Sequence, residues 1–270
     1  MAAGSYRTLS ESSLAAAADA EQHFADLGYV IRREPNELGF PFTPAFVAVR
    51  KPTRVVVEVV SEIDADRVDE WKCYCNACET DTQLMFVTTK AVSENTMALL
   101  AKRKIGLISF ANNTRIHLLD ASDIAFQITL PVLAGLSKPL RVELGPAYEN
   151  FDKGNWREGF EDACIALENR VRPYLWAAIQ STRLTIYSKK GKPANPTRAS
   201  VFKMTLGQLA HTLRNAAPVN HLDSFIADLI TKINSERIKV AHKKYKAEKT
   251  LRQKVPLHTV SIISCMKKFS

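Results

Sequence analysis

At 270 residues, 46% hydrophobic and 24% charged, the chain has the balance of a soluble globular protein with room for one or two domains and a sizeable core. No apolar run approaches the ~20 residues that a membrane-spanning helix needs, and five cysteines behind a start with no secretory signal fit reduced thiols in a cytosol, not a disulfide framework. The net charge of +9 is a basic excess that fits a polyanionic partner.

In chain order, Ser12 or Ser13 is placed to cap a helix whose stripe is Leu14, Ala17, Ala18, Phe24 and Leu27, stopped by Gly28. Tyr29-Val30-Ile31 reads as a strand, and the proline-bounded stretch 35–44 as a loop. Phe46-Val47-Ala48-Val49 and the valine-rich run from Arg54 to Val60 predict two strands joined by Lys51-Pro52-Thr53. Asp64 opens a helix to about Ala77, and Ser93 caps another through Lys102. Leu84-Met85-Phe86-Val87, the segment 105–110 and the segment 115–119 are further strands, which makes residues 13–130 a mixed α/β domain. Cys73, Cys75 and Cys78 form a C-x-C-x2-C cluster inside the second helix. Only Cys75 and Cys78 share a helix face there, with no fourth ligand near in sequence, so no zinc is assigned.

This element order resembles the restriction-endonuclease-like PD-(D/E)xK fold, with Pro44-Ala45-Phe46 at its PD turn and Glu58-Val59-Val60 at its (D/E)xK strand. Ala45 stands where the family carries a metal-binding aspartate, and Val60 where it carries the catalytic lysine. The resemblance therefore implies a catalytically dead nuclease-like domain used for sensing or docking. Glu58 alone reads as a polar residue at a strand end, because a hard cation needs several carboxylates.

The stretch 131–149, rich in proline and glycine, is expected to be a linker, and 150–268 an all-α bundle of four or five helices. Trp156, Phe160, Ala163, Leu167, Val171, Tyr174 and Ala178 keep helical spacing, with Pro173 expected to kink or divide that helix. Leu184-Thr185-Ile186-Tyr187 is a brief extended segment, and 189–200 a basic loop. Leu206, Leu209, Ala210 and Leu213 mark a shorter helix. Asn220 is expected to cap the next, with the stripe Leu222, Phe225, Ile226, Leu229, Ile230 and Ile233. Pro256 is expected in the first turn of a last helix carrying Val260, Ile263 and Met266.

Continuing the Leu222–Ile233 phase puts Arg237 where an apolar residue belongs. A guanidinium there must be paired, sit at a helix break or line a site. His242 follows five residues later, about 140° around a regular helix, so the two converge only across a helix break at Asn234-Ser235 or between two copies of the chain. Nine basic residues against two acids crowd the stretch 232–254, which is an electrostatic footprint for nucleic acid. It lacks the broad apolar face of a membrane-surface helix. The bland alternative is a solvated basic helix end with a satisfied histidine.

Arg237 and His242 fit the Arg-x4-His form of the motif of HEPN domains, and the segments Gly154-Asn155-Trp156-Arg157-Glu158, Leu167-Glu168 with Arg172, and Met204 to Leu209 are similar to that family's helices. The resemblance covers roughly 150–267. It implies a metal-independent endoribonuclease without cofactor, working as a homodimer through this domain, with further protein partners allowed. His242 would be the acid/base and Arg237 the phosphate clamp. Lys239, Lys243, Lys244 and Lys246 would hold the RNA backbone. Ile238 departs from the family, whose active ribonucleases usually carry a polar residue after the arginine. Architectures of this kind resemble toxin or antiphage defence effectors. The alternatives are a non-catalytic nucleic-acid-binding or assembly subunit, and a toxin held by a nucleotidyltransferase that modifies Tyr245. His211, His221 and His258 compete for the histidine role, but none has an arginine at the motif's spacing.

Overall fold

The computed structural model describes residues 10–33, 39–78, 81–111, 114–122, 130–187, 192–218, 224–242, 245 and 248–269. The chain forms two compact units. One comprises Met1–Glu37 and Phe42–Val132, the other Leu38–Pro41 and Leu133–Ser270.

The first unit is built on one six-stranded mixed sheet whose strands lie in sequence order. They are β1 (Val30–Arg32), β2 (Phe46–Arg50), β3 (Thr53–Val60), β4 (Thr82–Thr88), β5 (Gly106–Ala111) and β6 (Thr114–Leu119). The first three run antiparallel, β3, β4 and β5 are parallel, and β6 returns antiparallel to β5. Helices α2 (Ala65–Ala77) and α3 (Glu94–Lys102) make the two parallel crossovers. Val55, Val57 and Val59 pack one face of β3 against Ala16, Ala20 and Phe24 of α1 (Glu11–Asp26). Strand β3 is buried on both faces, which is why it reads as a run of valines and not as an alternation. Asp64 and Ser93 cap α2 and α3 as their sequences indicate, whereas α1 is capped by Ser10 and not by Ser12 or Ser13. The Ser10 hydroxyl accepts the Ser13 N–H, so the serine run supplies a donor to the cap it was expected to be.

Cys73 and Cys75 of α2 and Cys78 at its C-cap behave as helix packing. Cys73 and Cys75 are buried, which pushes their thiols well above the ordinary range, and Cys78 donates its S–H to the Tyr74 carbonyl. Among the described residues no group of three or more His, Cys, Asp or Glu side chains is arranged to hold a metal.

The second unit is helical, with α4 (Lys138–Asp152), α5 (Trp156–Gln180), α6 (Arg198–Phe202), α7 (Leu206–Asn215), α8 (Ser224–Ala241) and α9 (Glu248–Lys268). The long α5 is its axis and touches each of the other five. Phe160, Ala163, Cys164, Leu167, Val171, Leu175 and Ala178 form its buried stripe. Three departures from the sequence reading concern prolines. The stretch 131–149 is largely helix α4, started by Pro139 in the first turn and running through the exposed Pro146. Pro173 neither ends nor divides α5, because it faces solvent while the opposite face is locked in the core. Helix α9 begins at Glu248, so Pro256 lies in its interior and not in its first turn. The unit also carries a small sheet, β8 (Pro193–Ala194), β7 (Leu184–Tyr187) and β9 (Ala217–Pro218), which an all-α reading omits. Asn220, expected as a cap, and His221 lie outside the described residues.

The short segment from the first half of the chain belongs with these helices. Phe40 is fully buried, and Gly39, at φ +71°, turns the chain so that its carbonyl accepts the Ser261 hydroxyl of α9. No helix among the described residues is long and apolar enough to cross a membrane.

Candidate functional site

The site is built on α8. The helix is unbroken through Asn234 and Ser235, and the His242 amide still donates to the Ile238 carbonyl at 3.0 Å, so helical geometry holds to the motif's end. Arg237 and His242 therefore stay about 140° apart around one axis. The two routes to convergence left by the spacing thus reduce to the pairing of two copies.

Arg237 flanks the buried side of α8 formed by Ile226, Leu229, Ile230, Ile233 and Val240. Its Nη1 donates to Glu168 Oε1 of α5 at 2.7 Å. Glu168 is buried, and its carboxylate is fully used. The same Oε1 accepts the Leu206 N–H at 2.7 Å, and Oε2 accepts Arg172 Nη2 at 2.7 Å. Arg172 in turn donates from Nε and Nη2 to the Met204 carbonyl at 3.0 and 2.8 Å. Two guanidiniums on one carboxylate leave a net positive charge. The Arg237 side chain is 27% exposed, and its other N–H donors have no partner among the described residues. A guanidinium held on one side in this way has donors on the other that can take an anion.

His242 is exposed, and its ring has no hydrogen-bond partner among the described residues. Between it and Arg237 the helix surface carries Asn234, Ala241 and Ile238, the last 45% exposed. Arg157 of α5 holds the end of α8 by donating to the carbonyls of Val240 and Tyr245 at 2.8 and 2.9 Å. This cationic cap satisfies terminal carbonyls and opposes the negative end of the helix dipole.

Of the expected RNA-binding lysines, Lys239 is described. It is half exposed and pairs with Glu236 Oε2 at 3.1 Å, so part of its charge is already engaged. Lys243, Lys244 and Lys246 lie outside the described residues. Among the competing histidines, His258 of α9 is buried against Phe160, and its pKa falls to about 3. Burial is the main cause, followed by Lys254, Lys239 and Lys232. The Glu236 carboxylate stands 3.7 Å from its Nε2, beyond hydrogen-bond reach, and does not overcome them. A neutral, enclosed imidazole of this kind is a packing residue. His211 sits exposed on α7 beside Asn215.

In the first unit, Glu58 is also occupied. Arg67 Nε donates to both its oxygens at 3.1 and 3.3 Å, and the guanidinium is stacked 3.4 Å over Phe42. The carboxylate is thus an ion-pair partner inside the unit.

Glu168, on which Arg237 and Arg172 converge, is the residue whose role sequence reasoning missed. It lies next to the core stripe of α5, and its one local signal is the i,i+4 spacing to Arg172. No family model, curated protein or solved structure matches this chain.

Proposed function

We propose that the helical unit is a metal-independent endoribonuclease of the HEPN type, acting as a homodimer in a toxin or antiphage defence setting. The observation that carries this reading is the Arg237–Glu168 pair, an arginine at a core-flanking position, fixed by a buried carboxylate with its remaining donors open to solvent. A clamp so held binds two oxygens of a phosphate without having to be ordered first. His242 supplies what the arginine lacks, an exposed imidazole for taking the 2'-hydroxyl proton and protonating the leaving oxygen. One Arg and one His on opposite sides of a straight helix do not serve one phosphate. Two copies packed over the exposed Ile238–Ala241 surface bring both motifs to a shared cleft, and a C2 contact of this kind is self-complementary. The basic stretch 232–254 holds the RNA backbone without reading sequence. In this reading the first unit is a degenerate PD-(D/E)xK-like domain for docking or sensing, since the carboxylate at its (D/E)xK position is tied up by Arg67.

The second reading, a non-catalytic RNA-binding or assembly subunit, is favoured by one feature. The residue beside Arg237 is the apolar Ile238, so no polar neighbour orients the His242 ring among the described residues. The two are separated by RNA cleavage in EDTA, comparing wild type with Arg237→Ala and His242→Ala. Cleavage that both variants lose supports the nuclease. Salt-sensitive binding without cleavage supports the subunit. Cleavage that needs Mg²⁺ and ignores both substitutions sinks both readings of the helical unit.

A further inference from the structure

The network under Arg237 also holds a cleft. Between the end of α6 and the first turns of α7 lies an open cavity of about 660 Å³, the size range of sites for small organic ligands. Its apolar surface includes Met204 and Gly207, and its rim carries Lys203, Gln208, His211 and Thr212. Arg172 holds the Met204 carbonyl, and Glu168 Oε1 holds the next turn through the Leu206 N–H. The Thr205–Gln208 capping box fixes the start of α7. Cleft wall and clamp therefore hang on one carboxylate, because the oxygen that takes Leu206 also takes Arg237.

Gly207 brings the cleft close to the motif helix. A Cβ there would stand 2.9 Å from the Asn234 side-chain amide nitrogen, one turn before Arg237, so α7 lies against α8 at this point and a larger residue would push the Asn234 amide aside.

The chemistry of the lining selects a ligand class. The exposed His211 has the Asn215 amide nitrogen against one ring face, 3.0 and 3.1 Å from its two nitrogens, which leaves the other face, and Met204 offers a polarisable thioether, both suited to a flat aromatic base. The Gln208 carbonyl is spent on the Thr205 N–H and the Thr212 hydroxyl donates to Met204 Sδ at 3.8 Å, which leaves the Gln208 amide hydrogens as donors and the Thr212 oxygen as an acceptor for the edge of such a base. Among the described residues Lys203 is the cation of the lining, placed for one phosphate.

We propose that this cleft binds one nucleotide unit of single-stranded RNA, a base against His211 and Met204 with its phosphate at Lys203, and so sets base preference beside the phosphate held by Arg237. The placement next to a scissile bond rests on the nuclease reading. The binding of a nucleotide does not.

The test uses the full chain and fluorescent ten-nucleotide homopolymers of A, C, G and U, with binding and cleavage read in EDTA. His211→Ala removes the ring face at an exposed position, and Ser200→Trp fills the cleft from its exposed rim. Both are checked for an unchanged Tm. The expected result is roughly tenfold weaker binding of the preferred homopolymer and a flattened base preference in both, the size of one lost base stack. Arg237→Ala loses cleavage and keeps the preference. Nucleoside monophosphates that displace the oligomer from wild type and not from Ser200→Trp place the free nucleotide in the same cleft. Displacement by neither form, with the dependence on His211 intact for the oligomer, assigns the strand as the ligand. Unchanged affinity and preference in both folded variants overturn the proposal. A wild type that binds with this His211 dependence but never cleaves removes the nuclease reading and keeps the cleft.

Discussion

Arg237 and Glu168 stand 69 positions apart in the chain and 2.7 Å apart in space. Glu168 is the acceptor on which two arginines and a buried backbone N–H converge, so its loss leaves three donors without their partner. Glu168→Ala should cost the helical unit about 3–5 kcal/mol, the cost of breaking a buried charge pair from one side. Glu168→Gln keeps one acceptor oxygen and should cost less. Thermal unfolding checks the order Ala below Gln below wild type, and an unchanged Tm in Glu168→Ala would contradict the network.

His258 makes the helical unit sensitive to acid. Its folded pKa is about 3, against an ordinary histidine value near 6.5, so the unfolded chain binds a proton that the folded one refuses. The folded state therefore has its full advantage above about pH 6.5. It loses it as pH falls towards 3, by about 2 kcal/mol at pH 5. Glu236, Lys232, Lys239 and Lys254 are the charged groups around the ring. His258→Gln cannot titrate and should remove this part of the pH dependence. Parallel Tm series from pH 8 to pH 5 for the two proteins measure it. Parallel curves would contradict a depressed His258.

The proposed dimer gives a prediction about Ile238. The residue is 45% exposed and contributes little to the core, so Ile238→Asp should fold normally. Facing its own copy across a two-fold axis it brings like charges together, and the dimer should weaken at least tenfold. Sedimentation at matched concentrations reads both species. A wild type that is monomeric at high concentration removes the composite site.

Arg67→Ala should remove the guanidinium paired with the buried Glu58 carboxylate, destabilise the sheet unit by about 3–5 kcal/mol and so lower its Tm. EDTA and Mg²⁺ should both leave the wild-type Tm unchanged, because Glu58 is held by a guanidinium within the fold. A stabilising response to Mg²⁺ that disappears in Glu58→Gln would contradict this.

The sheet unit was largely legible because its strands are β-branched runs and its caps, Asp64 and Ser93, are local chemistry. Helix α4 was not, since Pro139 and Pro146 look like breakers until the buried face of Leu140, Leu144, Ala147 and Phe151 is known to pack on α5. The odd position of Arg237 was visible in the periodicity of α8. Its partner was not, because no local pattern links residues on two helices so far apart in the chain. The cleft of Met204 and His211 was equally hidden, as concavity belongs to the arrangement of α6 and α7 and to neither sequence alone.

The Gly39–Ser261 bond means that the order of the gene is not the order of the parts. A shortened chain starting at Leu133 contains every helix of the second unit and still lacks a piece of it, the fully buried Phe40 ring and the acceptor of the Ser261 hydroxyl. A lost aromatic ring of this size leaves a void worth about 3–5 kcal/mol. Such a fragment should aggregate or unfold on its own, and a peptide spanning residues 38–41 fused ahead of it should restore what the cut removed.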